Sequence, residues 1–341
     1  MTPSTSHTID SLERCPLAHL PTPVEEMKLL SAALGGPRLL VKRDDQTGLA
    51  FGGNKTRKLE FLMGDALAKG ATTIVTAGAA QSNHCRQTVA AAARVGLECE
   101  LVLGGEEPDR LNGNLLLDHL MGARVHWAPM EARVGRMREI VLSLAEEGKR
   151  PYMIPYGGSN AVGAVGYVLA MIELVEQLQE SDRVVDHVVF ASSSGGTQAG
   201  LVVGARLAGF GGRLLGISID KGERGPRPFE EELMELSNET ASRTGLAHRF
   251  SPADFQVDYR YLGGGYGVVG DLERQAIKVV AWREGLLLDP VYTGRAMGAL
   301  LAMIHQGAFS RDETVLFWHT GGAPALFAYE RDLELRRPAE R

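Results

Sequence analysis

From Leu39 onward, short runs of β-branched and other apolar residues alternate with longer helical stretches, and this alternation limits the possible folds more than any other feature. Strands that recur after helices give parallel sheets covered on both faces, so an α/β protein is expected, with two open, twisted, mostly parallel sheets flanked by helices. Strands are predicted at Leu39–Arg43, Thr73–Ala77, Glu98–Leu103, Ala123–Trp127, Val184–Ala191, Leu214–Ile219 and Val315–Trp318. Helices are predicted over Thr56–Lys69, Asn83–Val95, Leu115–Met121 and Ala132–Glu147, from the turn Gly157–Asn160 to about Gln179, and after Gly196. A chain of 341 residues is long enough for two modest lobes. The boundaries are placed near Glu60 and Gly163, giving a larger lobe of residues 1–60 and 164–341 and a smaller inserted lobe of 61–163. Lys221–Pro228 is read as a surface loop.

Composition narrows the function classes. Hydrophobic residues make up 44% and charged residues 23%. No apolar run reaches the roughly 18 to 20 residues of a membrane span. Met1–Ser11 is polar and has no apolar signal region, so the cytoplasm is the expected compartment. A net charge of -6 without a basic stripe argues against nucleic acid. Three cysteines without a CxxC pair, and histidines without HExxH spacing, fit reduced thiols and no metal site.

Four segments carry chemistry. In GGNKTRKLE, Gly52–Glu60, two glycines lead into a helix with Lys55 and Lys58 near its first turn. Helix N-termini favour anions, so two cations there are explained by a bound phosphate, or else by a solvated basic helix start. SSSGGTQAG, Ser192–Gly200, follows an apolar strand and precedes a helix. Its amides, with Ser194 and Thr197, could cradle a phosphate. It lacks the GK[ST] ending of a nucleotide loop, so a monophosphate fits better than a triphosphate, with a plain tight turn as the alternative. QSNHCRQ, Gln81–Gln87, starts a helix capped by Ser82 or Asn83, and its free amides could also hold a substrate carboxylate. Gly265, Gly267 and Gly270 satisfy GxGxxG, which would suit a nicotinamide-dependent oxidoreductase. The upstream VDYRYL makes a poor buried strand, however, and no acidic residue follows in the expected context.

Together with PTPVE (Pro21–Glu25), KRDD (Lys42–Asp45), GGSNAVGAVGY (Gly157–Tyr167), DPVYTGRAM (Asp289–Met297) and HTGGAPALF (His319–Phe327), these segments resemble the pyridoxal-phosphate family containing D-cysteine desulfhydrase and 1-aminocyclopropane-1-carboxylate deaminase, in the fold type II, tryptophan synthase β-like group. The resemblance spans nearly the whole chain and implies pyridoxal 5'-phosphate as cofactor, bound by the larger lobe. Lys55 would be the Schiff-base lysine and Lys58 a phosphate ligand, with Ser194, Gly195, Gly196 and Thr197 completing the phosphate site. Asn83 would face the phenolic oxygen, Ser82, Asn83 and His84 would offer the substrate-carboxylate site, and Tyr266 and Tyr292 would line the reacting face with Ser82. Many family members have alanine at the position of Gly195. A homodimer and a small amino-acid substrate are also implied.

Deaminases of the family carry Glu directly after the DPVY tyrosine and Leu where this chain has Thr320; here the two positions are Thr293 and Thr320. Two hydroxyls can hydrogen-bond to the ring nitrogen but are too weakly acidic to protonate it, which leaves a shallow electron sink. That suits loss of a good leaving group better than opening a cyclopropane. The expected activity is carbon–sulfur β-elimination, with D-cysteine desulfhydration first, L-cysteate sulfo-lysis as the rival and 1-aminocyclopropane-1-carboxylate deamination less favoured. D-serine and 3-chloro-D-alanine are further candidates, and a cofactor-binding relative without lyase activity is another alternative.

Overall fold

The structure is a computed structural model and describes residues 8–222 and 227–335; the start of the N-terminal segment and part of the Lys221–Pro228 loop lie outside the described residues. In chain order its first half comprises β1 (Val24–Glu26), α1 (Lys28–Leu34), β2 (Arg38–Lys42), α2 (Asn54–Ala68), β3 (Thr73–Ala79), α3 (Asn83–Arg94), β4 (Glu98–Gly104), α4 (Gly113–Leu120), β5 (Arg124–Ala128), α5 (Arg133–Glu146) and β6 (Pro151–Met153). Its second half comprises α6 (Ala161–Glu180), β7 (His187–Ser192), α7 (Gly196–Ala208), β8 (Arg213–Ser218), α8 (Phe229–Arg243), β9 (Gln256–Asp258), α9 (Asp271–Glu284), α10 (Thr293–His305) and β10 (Thr314–Trp318).

Two sheets result, in strand orders β1-β2-β10-β7-β8-β9 and β5-β4-β3-β6. Every described pairing is parallel except that of β1 with β2. All four strands of the second sheet come from residues 73–153, between β2 and β7 of the first. Side chains alternate across a strand, and β2 shows the result. Leu39 and Val41 join Leu30, Ile277, Met297 and Leu300 on one face. Leu40 joins Tyr167, Met171, Leu174 and Trp318 on the other. Both faces are covered, as parallel sheets require. The second sheet does the same with Ile74 and Leu101 against α2 and α3, and with Val75 and Val102 against Met137 and Ile140 of α5.

Several elements differ from the sequence expectation. β1, β6, β9, α1, α8 and α10 carried no prediction; each of the three strands has only three residues. VDYRYL does contribute Val257 and Asp258 to β9, an edge strand. α6 is 20 residues long and apolar enough by length and composition to cross a membrane, a property not anticipated from the sequence; two thirds of its most apolar window is buried inside the fold, which makes it a core helix.

Parallel sheets place their functional loops beyond the strands' carboxyl ends. The segments after β3, β6, β7 and β10 converge there on one cleft.

Candidate active site

Lys55 is the second residue of α2, whose N-cap Gly53 has φ 126°, so the chain turns sharply into the helix. Burial lowers the Lys55 ammonium pKa to about 8, against an opposing pull from Asp220. An amine in that range has a far larger neutral fraction near physiological pH than an ordinary lysine, and the neutral form is the one that attacks a carbonyl. One turn on, Lys58 is fully buried, and its Nζ donates to Gly157 O at 3.2 Å and Ser159 Oγ at 3.3 Å. Burial, then the charge of Lys55, pushes the Lys58 pKa well down. A buried ammonium held by neutral oxygens calls for an anion.

The cradle for that anion lies opposite. Gly195, with φ 83°, caps α7, a left-handed turn that alanine would strain and glycine does not. Gly196 opens the helix in tight surroundings: a Cβ there would stand 2.7 Å from Ser159 Oγ and 2.9 Å from Lys58 Nζ. Ser159 Oγ shares a hydrogen bond with Ser194 Oγ at 2.8 Å and accepts from Gly196 N at 3.1 Å. Thr197 Oγ1 accepts from Asn54 Nδ2 at 3.1 Å, which leaves its proton to donate. A helix N-terminus, three hydroxyls and a buried lysine fit a phosphate monoester.

The far wall is the start of α3. Ser82 Oγ caps the helix by accepting from Cys85 N at 3.1 Å, so the amides of Asn83 and His84 have no intrahelical acceptor. Asn83 Oδ1 accepts from Asn114 Nδ2 at 2.8 Å and from Arg86 Nη1 at 3.4 Å, leaving its Nδ2 hydrogens for the cleft. The His84 ring is engaged elsewhere. Thr76 Oγ1 donates to Ile154 O and therefore accepts from His84 Nε2 at 2.9 Å, while Thr88 Oγ1 lies 3.4 Å from Nδ1. Burial first, then Lys55 and Lys58, keeps this imidazole neutral. What His84 offers a carboxylate is its backbone N–H.

At the reacting face, Tyr292 and Tyr266 touch hydroxyl to hydroxyl at 2.6 Å, with rings edge to face at 5.9 Å. Burial holds both phenols protonated, well above the ordinary tyrosine pKa. Tyr266 arrives on the GxGxxG loop. Arg295 binds that loop by donating to Gly265 O and Val268 O, and the Glu273 carboxylate accepts from Gly270 N at 2.8 Å, at the helix start where a pyrophosphate would sit in the nucleotide reading.

The cleft is lined by Lys55, Ser82, Asn83, His84, Ser194, Gly195, Thr197, Tyr292 and Thr320 among others. Lys58, Gly196 and Tyr266 stand directly behind this lining through the contacts given above. Thr293 is placed differently. It is fully buried in the first turn of α10, where its Oγ1 donates to Asp289 Oδ1 at 2.8 Å and accepts from Asp289 N at 2.7 Å, and it does not border the cleft. Of the two threonines assigned to the ring nitrogen, only Thr320 reaches the lining. Tyr156, Ser193 and Asn54 also border the cleft without having been singled out from the sequence; Asn54 lies inside GGNKTRKLE, whereas Tyr156 carries no local signal.

Residues 16–321 match the family of pyridoxal-phosphate dependent enzymes. The D-cysteine desulfhydrases of Salmonella typhi and of Salmonella paratyphi C (strain RKS4594) are each 41% identical over 329 residues, covering 95% of this chain and 98% of theirs. The crystal structure of an ACC deaminase homologue superposes with a TM-score of 0.88 at 37% identity, over 98% of this chain and 99% of that one. O-ureido-L-serine synthase, at 16% identity and a TM-score of 0.65, shares the fold.

Proposed function

The chain belongs to the pyridoxal-phosphate-dependent enzymes, and from that premise we propose that it is a carbon–sulfur lyase acting by β-elimination on D-cysteine to give pyruvate, hydrogen sulfide and ammonia. Lys58, Ser194, Gly195, Gly196 and Thr197 hold the phosphate, with Ser159 added to the set. Lys55 would hold the cofactor until the substrate amine takes its place, and the cofactor would then supply an electron sink for the substrate Cα and leave the Lys55 amine free as a base. Lys55 then takes the Cα proton. Ser82 Oγ and the amides of Asn83 and His84 orient the substrate carboxylate, while Tyr292, in contact with Tyr266, faces the bond that breaks.

The observation that carries the choice of reaction is the cleft's lining: it contains hydroxyls, amides and one lysine, and among the described residues no carboxylate. With Thr320 as the ring-nitrogen partner and Thr293 bonded to Asp289, no acid is placed to protonate that nitrogen. Such a site supports expulsion of thiolate better than opening of an unactivated ring. The similarity to D-cysteine desulfhydrases supports the same choice.

The test supplies D-cysteine, L-cysteine, L-cysteate and 1-aminocyclopropane-1-carboxylate separately and identifies the products. Sulfide with pyruvate from D-cysteine supports the proposal. Sulfite from L-cysteate as the main product would change the leaving group, and 2-oxobutyrate from the cyclopropane would defeat the argument from the lining. We also propose a cytoplasmic homodimer, whose subunit number light scattering would report.

A further inference from the structure

A second cavity of about 600 Å³ adjoins the cleft, sharing Tyr156, Ser193 and Ser194 with it as common walls. Its other charged walls are Arg133, Asp220, Lys221 and Glu232. Lys221 and Glu232 pair with each other at 3.2 Å. Arg133 and Asp220 are salt-bridged neither to one another nor, among the described residues, to a third group. The Arg133 guanidinium lies 5.6 Å over the Tyr156 ring, and its Nε donates to Met130 O at 2.8 Å. Its Nη1 is enclosed and has no acceptor among the described residues. Burial raises the Asp220 carboxyl pKa above its ordinary value, outweighing the opposing effect of the Ser193 hydroxyl and the charge of Lys221. The shared walls Tyr156, Ser193 and Ser194 set this antechamber directly beside the cleft that holds Lys55.

A guanidinium and a carboxylate that line the same cavity, neither in a salt bridge among the described residues, complement an amino-acid zwitterion. We propose that this antechamber is a leaving-group subsite, in which Arg133 receives the carboxylate and Asp220 the ammonium of a second amino-acid end, so that the enzyme also cleaves thioether-linked diamino acids. The inference rests on the β-elimination proposed above and extends it to a larger leaving group. The Cα proton passes to Lys55, the Cβ–S bond breaks with its electron pair on sulfur, and the departing thiolate takes up a proton. Water then converts the released enamine to pyruvate and ammonia, so the sum is substrate plus water giving pyruvate, ammonia and a thiol amino acid, with no oxidant needed.

Three substrates separate the charges: D,D-lanthionine carries both, S-(2-carboxyethyl)-D-cysteine lacks the distal ammonium, and S-ethyl-D-cysteine lacks both groups. The holoenzyme should show kcat/KM for lanthionine at least tenfold above that for either analogue, and tighter half-saturation in the perturbation of the cofactor's visible band. Arg133→Gln should lower the lanthionine to S-ethyl-D-cysteine ratio at least tenfold, with Arg133→Lys restoring part of it, and Asp220→Asn should remove the preference over the carboxyethyl analogue. Equal rates on all three thioethers, or ratios unmoved in the variants, would overturn the subsite while D-cysteine turnover still upheld the lyase. Loss of elimination from D-cysteine itself would refute the reaction, and the subsite with it.

Discussion

Asp44→Asn should destabilise the protein by about 3–5 kcal/mol, although the residue lies outside the cleft lining. Asp44 is fully buried and accepts from Thr22 Oγ1 (2.8 Å), Arg57 Nε and Nη2 (both 2.9 Å), Tyr167 OH (2.6 Å) and Trp318 Nε1 (2.8 Å). Asparagine would turn an N–H group toward donors and remove the charge opposite Arg57, whose remaining carboxylate partner is Glu173. Arg57 sits two residues after Lys55 on α2, so this cluster fixes the helix that carries the reacting lysine. With an unfolding entropy of about 2.1 cal/mol/K per residue, 341 residues give about 0.7 kcal/mol/K, so the melting temperature should fall by about 4–7 °C. Calorimetry at pH 7 measures this directly. Burial alone would raise the Asp44 carboxyl, but the charge and hydrogen bonds of Arg57 outweigh it and hold the pKa below its ordinary value. The stabilisation is therefore complete above the unfolded value of about 3.9 and is lost as pH falls through the folded one, so the gap between native and variant should narrow below about pH 4. A variant melting within about 1 °C of the native protein at pH 7 would refute the role assigned to the cluster.

Lys58→Met should act in opposite directions on the two forms: the cofactor-free protein melts higher because a buried amine whose charging burial and Lys55 oppose, and which has no bonded carboxylate, is gone, while affinity for pyridoxal phosphate, measured by fluorescence titration, falls about 10- to 150-fold. Gly196→Ala places a methyl group 2.7 Å from Ser159 Oγ and should abolish cofactor retention on gel filtration while leaving far-ultraviolet circular dichroism unchanged. Capture of added cofactor by the cofactor-free protein should accelerate with pH through a midpoint near 8, the lowered value of Lys55; stopped-flow absorbance showing a midpoint near 10 would contradict it.

The sheets could be read in the sequence because buried parallel strands are continuous apolar runs, as in VVFA within β7. Lys55 and Lys58 could be read because two cations at a helix start conflict with its dipole unless an anion is present. Thr293 shows where adjacency in sequence misleads. It follows Tyr292 directly, but one helical step rotates it about 100° away, toward Asp289. Tyr156, Arg133 and Asp220 could not be recognised because each depends on partners brought together only by folding. The same holds for KRDD, whose Asp44 meets Trp318 from 274 positions away. The short strands β1, β6 and β9 are set by pairing with neighbours rather than by their own pattern.

The most direct test of the account is the visible absorbance of the purified, cofactor-reconstituted protein beside Lys55→Ala. A visible absorbance band from the lysine–cofactor imine that survives gel filtration in the native protein and is absent from Lys55→Ala is the predicted result. A band that persists in the variant, or no band in either protein, would contradict the assignment of Lys55 as the residue that carries the cofactor.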